Sequence, residues 1–192
     1  MKCILFLYGF PMLKEEFSPM VERLREDHHV IEDPREADAS SVYTVMAYSA
    51  GIIDLLDHCK ADPLFKKRIE KIILIAPVGM RPTGVIRHSA IFLGEAFKTS
   101  NRLKIMRELF LEIARGSRTF YLKVKRIAHF DLIKETSDRL GMELRILGNS
   151  NDAILSGGSG VSDQELVLEH EGKGHFSPLE LPDLYAGIIK TL

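Results

Sequence analysis

Val42-Tyr43-Thr44-Val45-Met46-Ala47-Tyr48-Ser49-Ala50-Gly51-Ile52-Ile53-Asp54-Leu55-Leu56 is the stretch on which the reading of this chain turns. Residues 42–48 are β-branched and apolar, the pattern of a strand buried on both faces. Ile52, Ile53, Leu55 and Leu56 then recur at helical spacing. A strand therefore turns directly into a helix, with Ser49 at the corner. A serine on such a turn has its hydroxyl exposed at the top of the sheet. Strand and helix pack closely there, so the flanking positions must be small, and Ala47 and Gly51 are. The helix N-terminus also places backbone N–H groups and a positive dipole end beside Ser49. A serine before a helix is equally an ordinary N-cap, so this stretch by itself leaves both uses open.

The same alternation runs outward in both directions. Cys3–Tyr8, His29–Ile31, Ile72–Ala76, Leu144–Leu147 and Leu166–Leu168 read as further strands, and Phe17–Arg25 and Leu184–Leu192 as helices. Strand and helix in repetition imply right-handed crossovers and a mostly parallel sheet with helices on both faces. The expected architecture is a three-layer αβα sandwich of about six strands. One connection breaks the rhythm. About 65 residues separate Ala76 from the strand starting near Glu143, too many for an ordinary loop. They hold helical patterns at His88–Phe97 and Leu103–Ala114. The expected division is a core of residues 1–77 and 131–192 with a helical cap inserted at 78–130.

The chain has 192 residues, 45% of them apolar and 28% charged, with a net charge of -1. That is ordinary single-domain composition and excludes disordered, collagenous and wholly basic nucleic-acid-binding classes. No apolar run reaches the ~18 residues of a membrane span. Cys3 and Cys59 are too few for a disulfide framework and read as small buried hydrophobes, which points to a reducing, cytoplasmic setting. Charge is unevenly spread: residues 81–130 carry eleven Lys+Arg against three Glu, a net of +8. A basic face of this kind suits an acidic partner such as an acyl carrier protein, and is equally a solvated surface. Dense aromatic interleaving is missing, so nucleic acid is not expected. His28-His29 have no Cys or carboxylate at ligand spacing, and Gly157–Gly160 has no Lys-Ser/Thr partner. No metal or cofactor is expected.

In open parallel sheets ligands sit at the carboxyl ends of the strands. Three further features stand there. Gly174-His175-Phe176 follows the last strand on a glycine-bounded loop, where His175 can act as a general base on Ser49; His170 is the competing histidine. Asp152, past the preceding strand, can hold the imidazole tautomer and stabilise its cation, and also suits an Asx turn. The turn Tyr8-Gly9-Phe10-Pro11 can aim the Phe10 N–H at a developing oxyanion, with the Ala50 N–H as second donor.

Turn, serine corner, acid and histidine follow successive strands in the chain order Ser…Asp…His. In this the sequence resembles the α/β-hydrolase family along essentially its whole length. The resemblance implies a nucleophile at Ser49, an acid at Asp152, a base at His175, oxyanion donors at Phe10 and Ala50, and a helical cap. It is to a minimal version: the chain starts directly on the strand before the oxyanion turn, Tyr8-Gly9 stands where His-Gly is usual, and Ala47 replaces the first elbow glycine. The expected activity is hydrolysis of a small-molecule or acyl-carrier ester through an acyl-enzyme, with Tyr8, Tyr48 and Phe92 contacting substrate. The fold also hosts thioesterases and non-catalytic binding proteins.

Overall fold

A computed structural model describes residues 2–11, 14–38, 40–80, 82–137, 143–149, 152–154, 165–168 and 174–191. Six strands form one sheet: β1 (Lys2–Leu7), β2 (His28–Ile31), β3 (Tyr43–Tyr48), β4 (Ile69–Ile75), β5 (Glu143–Asn149) and β6 (Glu165–Leu168). Their order is β2-β1-β3-β4-β5-β6, and every pairing is parallel. The order reverses between β1 and β3, the kind of switch point at which open sheets bind ligands. The Ser49 corner follows β3 and the Gly9 turn follows β1, so both meet at that switch.

Period-2 alternation sends successive side chains to opposite faces of the sheet, and in β1 and β3 both faces are buried. On β3, Tyr43, Val45 and Ala47 face one way, into a core shared with Ile52, Leu55, Leu56 and Phe65. Met46 and Tyr48 face the other, against Phe17, Met20 and Tyr185. The first layer is built by α2 (Gly51–Ala61) and α3 (Pro63–Lys67); the second by α1 (Lys14–Arg25), α8 (Ser177–Glu180) and α9 (Pro182–Thr191). Among its described residues the β2–β3 link holds only a 3-10 turn, Pro34–Glu36, capped by Asp33. Cys59 is buried, and burial pushes its thiol up to about 11; Cys3, expected to be buried, is only partly so.

Between β4 and β5 come α4 (Val85–Lys98), α5 (Arg102–Arg115), α6 (Ser117–His129) and the short α7 (Leu132–Ser137). The first two match the expected helical patterns. The third is additional: Gly116 ends α5, its N–H closing on Ile113 O, and α6 resumes at once. Gly79, at φ +85°, leads into this insert, where a Cβ would lie 2.5 Å from the Phe130 ring. Among the described residues no helix is long and apolar enough to cross a membrane.

Candidate active site

Ser49 has φ 51°, a left-handed conformation that residues with side chains seldom adopt. The corner is pinned from β4: the Ser49 N–H donates to Ile75 O at 2.9 Å, and Ser49 O accepts from the Val78 N–H at 3.3 Å. The N-cap of α2 is Ala50, which makes no side-chain cap bond. The serine hydroxyl is directed elsewhere, to His175 Nε2 at 2.9 Å.

His175 lies on the 3-10 turn Gly174–Phe176, and Gly174 supplies the positive φ, 56°, that the turn requires. Its Nδ1 is 2.9 Å from Asp152 Oδ2. Asp152 Oδ1 accepts the Ile154 N–H at 2.8 Å, so the Asx turn and the histidine contact coexist in one side chain. Ser49, His175 and Asp152 are 3%, 1% and 0% exposed, which spares their hydrogen bonds the competition of bulk water. The main chain of His175 is held as well. Its N–H donates to Glu95 Oε2 at 2.8 Å, and its carbonyl accepts from Tyr48 Oη at 3.3 Å.

Two glycines allow the β1 turn, β3 and α2 to meet. A Cβ on Gly9 would stand 2.7 Å from Ser49 Cβ and 2.8 Å from Tyr48 O; one on Gly51 would stand 2.5 Å from Leu7 O. The Phe10 turn is thereby packed onto the serine corner. Among the described residues, neither the Phe10 nor the Ala50 N–H has a hydrogen-bond partner.

Ser49, Ala50 and Phe10 line a cavity of about 250 Å³. The insert supplies most of its wall: Phe92 and Leu93 from α4, Leu109 and Ile113 from α5, Phe120 and Val124 from α6. Phe92 is thus brought to the site. Tyr8 and Tyr48 do not line this cavity, although Tyr8 lines the adjoining cleft with Phe10 and Ala50. Alternation on β3 turns Tyr48 beneath His175, where its phenol is buried, and burial beside Asp152 raises it well above the usual range. The Tyr8 hydroxyl donates to Glu32 Oε2 at 2.6 Å, and the ring packs on Phe6 and Phe17. His170 lies outside the described residues, as does the stretch Gly157–Gly160.

Part of the positive charge of the insert is paired with acids, two of them, Glu16 and Asp57, outside it. Lys104 pairs with Glu16, Arg126 with Asp57, Lys98 with Glu95, and both Arg115 and Lys123 with Glu112. Two site residues escaped sequence reasoning, Glu95 and His88. Each left a signal: a polar residue one helical turn from Phe92, on the face where α4 turns inward. His88 lines the cavity, and burial together with nearby His175 lowers its pKa.

No protein-family model matches the sequence, and no curated protein matches it. Solved structures do match. An esterase from Exiguobacterium antarcticum aligns with 100% of this chain and 91% of its own at TM-score 0.65 and 13% identity. A thermophilic esterase from Thermogutta terrifontis aligns over 100% and 89% at TM-score 0.60 and 14% identity. A serine hydrolase involved in carbazole degradation aligns over 100% and 90% at TM-score 0.66 and 11% identity. Identities this low establish a shared fold.

Proposed function

We propose that this chain, which has the α/β-hydrolase fold, is a serine hydrolase that cleaves a carboxylic ester through an acyl-enzyme. The observation that carries the reading is the buried series Asp152–His175–Ser49, with 2.9 Å at each step. With the Nδ1 proton donated to Asp152, Nε2 is free to accept the Ser49 proton as Oγ attacks the ester carbonyl. The Phe10 and Ala50 N–H groups receive the negative charge that develops on the carbonyl oxygen. A single such donor is worth about 2.7–4 kcal/mol of barrier. Collapse of the tetrahedral intermediate breaks the bond to the leaving oxygen, which takes the proton from Nε2 and departs as the alcohol. Water, deprotonated by His175, then attacks the acyl-enzyme; the acid is released and Ser49 recovers its proton.

In this reading residues 78–130 form a cap over the nucleophile. The apolar faces of α4, α5 and α6 support it, since they enclose space beside Ser49 instead of filling it with their own side chains. The test is labelling with a fluorescent fluorophosphonate, with p-nitrophenyl ester turnover measured alongside. Wild type should label and turn over ester, and Ser49→Ala should do neither. A folded wild type that fails to label overturns the proposal in favour of a non-catalytic binding protein.

A further inference from the structure

We infer that the cavity beneath the insert is an acyl site for an uncharged hydrocarbon chain of up to about eight carbons. The inference rests on Ser49 being the nucleophile, and it specifies which side of the ester the cavity takes and how much of it.

Protein interiors are close-packed, with few voids larger than a water molecule. A space of about 250 Å³ against a serine hydroxyl is therefore room for a ligand. At a share of roughly 30 Å³ for a water-sized group, it holds about eight methylene-sized groups. Its wall decides their chemistry. Among the described residues that line it there is no Asp, Glu, Lys or Arg; apart from Ser49, the polar side chains are those of His88 and Ser89. A charged acyl group would lose its hydration there without gaining a counter-charge. The neighbouring cleft beyond Phe10 and Ala50 differs in carrying charged side chains, Asp54, Glu112, Lys123 and Arg126, beside Tyr8, Ile53 and Ile127.

Direction follows from which catalytic groups face the cavity. The nucleophile and both oxyanion donors line it, whereas His175 does not. The leaving oxygen must receive its proton from His175 Nε2, so the alcohol departs on the side away from the cavity. What stays bonded to the Ser49 ester, facing Phe10 and Ala50, is the acyl part, and the cavity is where its chain can run.

The test measures kcat/KM on p-nitrophenyl esters from acetate to palmitate, with the isomers ethyl octanoate and octyl acetate as a directional pair. The expected profile rises about fourfold per added methylene, equivalent to about 0.8 kcal/mol per buried CH₂. It should peak near eight carbons and then fall, and ethyl octanoate should be the better isomer. Leu109→Trp, which adds an indole to the wall, should move the peak to a shorter chain; Leu109→Ala, the second variant should the first not fold, should move it to a longer one. Fluorophosphonate labelling of Ser49 is measured in the wild type alongside, and circular dichroism establishes that each variant is folded. A flat profile, an unmoved peak or preference for octyl acetate, with labelling intact, overturns the acyl site and leaves the hydrolase reading standing. Absence of labelling in the wild type overturns both.

Discussion

The carboxylate of Glu95, on α4 of the insert, accepts the main-chain N–H of His175 at 2.8 Å. Glu95 is 2% exposed, and its other oxygen meets Lys98 Nζ at 2.5 Å. A buried carboxylate is costly unless paired and hydrogen-bonded, and here it is both. The end of the same helix is fixed to the core by a second carboxylate: Glu180 accepts from Thr99 Oγ1 at 2.8 Å and from the Ser100 N–H at 2.6 Å. α4 is therefore tied at Glu95 to the main chain of His175 and at its end to Glu180. In the proposed mechanism Glu95 is a positioning residue, acting on Ser49 through the placement of the imidazole.

Removing that acceptor leaves a buried N–H unpaired, which costs about 1–3 kcal/mol. Glu95→Ala should lower kcat by about 10- to 100-fold with KM nearly unchanged, because what is disturbed is the His175–Ser49 geometry and not the cavity wall. Glu95→Gln keeps an oxygen in place and should recover most of kcat, although its pairing with Lys98 weakens. Steady-state kinetics on one ester decides it. A Gln variant as impaired as the Ala variant would assign the effect to charge instead of to the hydrogen bond.

The two glycines at the switch point should respond differently to a methyl group. At Gly51 the clash is with Leu7 O, 2.5 Å away, in the middle of the packing of α2 on β1. Gly51→Ala should cost a few kcal/mol, in line with other overpacked interior sites, and lower the Tm. At Gly9 the nearest atoms are Ser49 Cβ and Tyr48 O. Gly9→Ala should displace the serine corner and the Phe10 N–H together, lowering kcat/KM at least 100-fold with a smaller loss of Tm. Thermal melts and ester kinetics on both variants separate the effects; equal losses of Tm with equal activity would contradict the assignment.

Arg126 of α6 grips Asp57 of α2 with both guanidinium nitrogens, at 2.5 Å each. Both side chains are 52% exposed, so water screens the pair and its contribution to stability is about 0–1 kcal/mol. Arg126→Ala should lower the Tm by no more than about 4 °C. Its effect on substrate should be larger, because α6 carries Phe120 and Val124 of the cavity wall and this pair fastens it to the core. KM for a medium-chain ester should rise several-fold, and should rise in wild type as salt is added. Equal KM in variant and wild type at low salt would show that α6 is held by packing alone.

The residue pattern around 42–59 was enough to read the strand, the corner and the helix, because a buried strand and an amphipathic helix leave different apolar periods. Parallel pairing followed from the alternation of elements; strand order did not, since it depends on which crossovers pack where. Ser49, His175 and Asp152 were legible by residue type and position after strands, and the structure brings their side chains within hydrogen-bonding distance. Tyr8 and Tyr48 were not legible in the same way. They flank site residues in sequence, but side-chain alternation and the Glu32 contact turn their phenols away from the cavity. Glu95 lay hidden because its partner is a main-chain N–H eighty residues away, which no side-chain pattern announces. α6 was masked by basic residues interleaved among Phe120, Val124 and Ile127.

His88 gives the pH prediction. Burial, and then the proximity of His175, lowers its pKa below the ordinary 6.5; Arg87, beside it in the same cleft, adds no negative charge to offset this. Above pH 6.5 the imidazole is mostly neutral in folded and unfolded chains alike, and this group makes stability independent of pH. As the pH falls below 6.5, the unfolded chain takes up the proton first, so stability declines through the window between 6.5 and the lowered folded value. His88→Leu keeps the wall apolar and removes that proton uptake. Melting curves from pH 7.5 to 5.0 should show a smaller loss of Tm in the variant than in the wild type. Parallel losses would mean that His88 is protonated as readily in the folded chain as in water, and that the cavity wall around it is wetter than its burial implies.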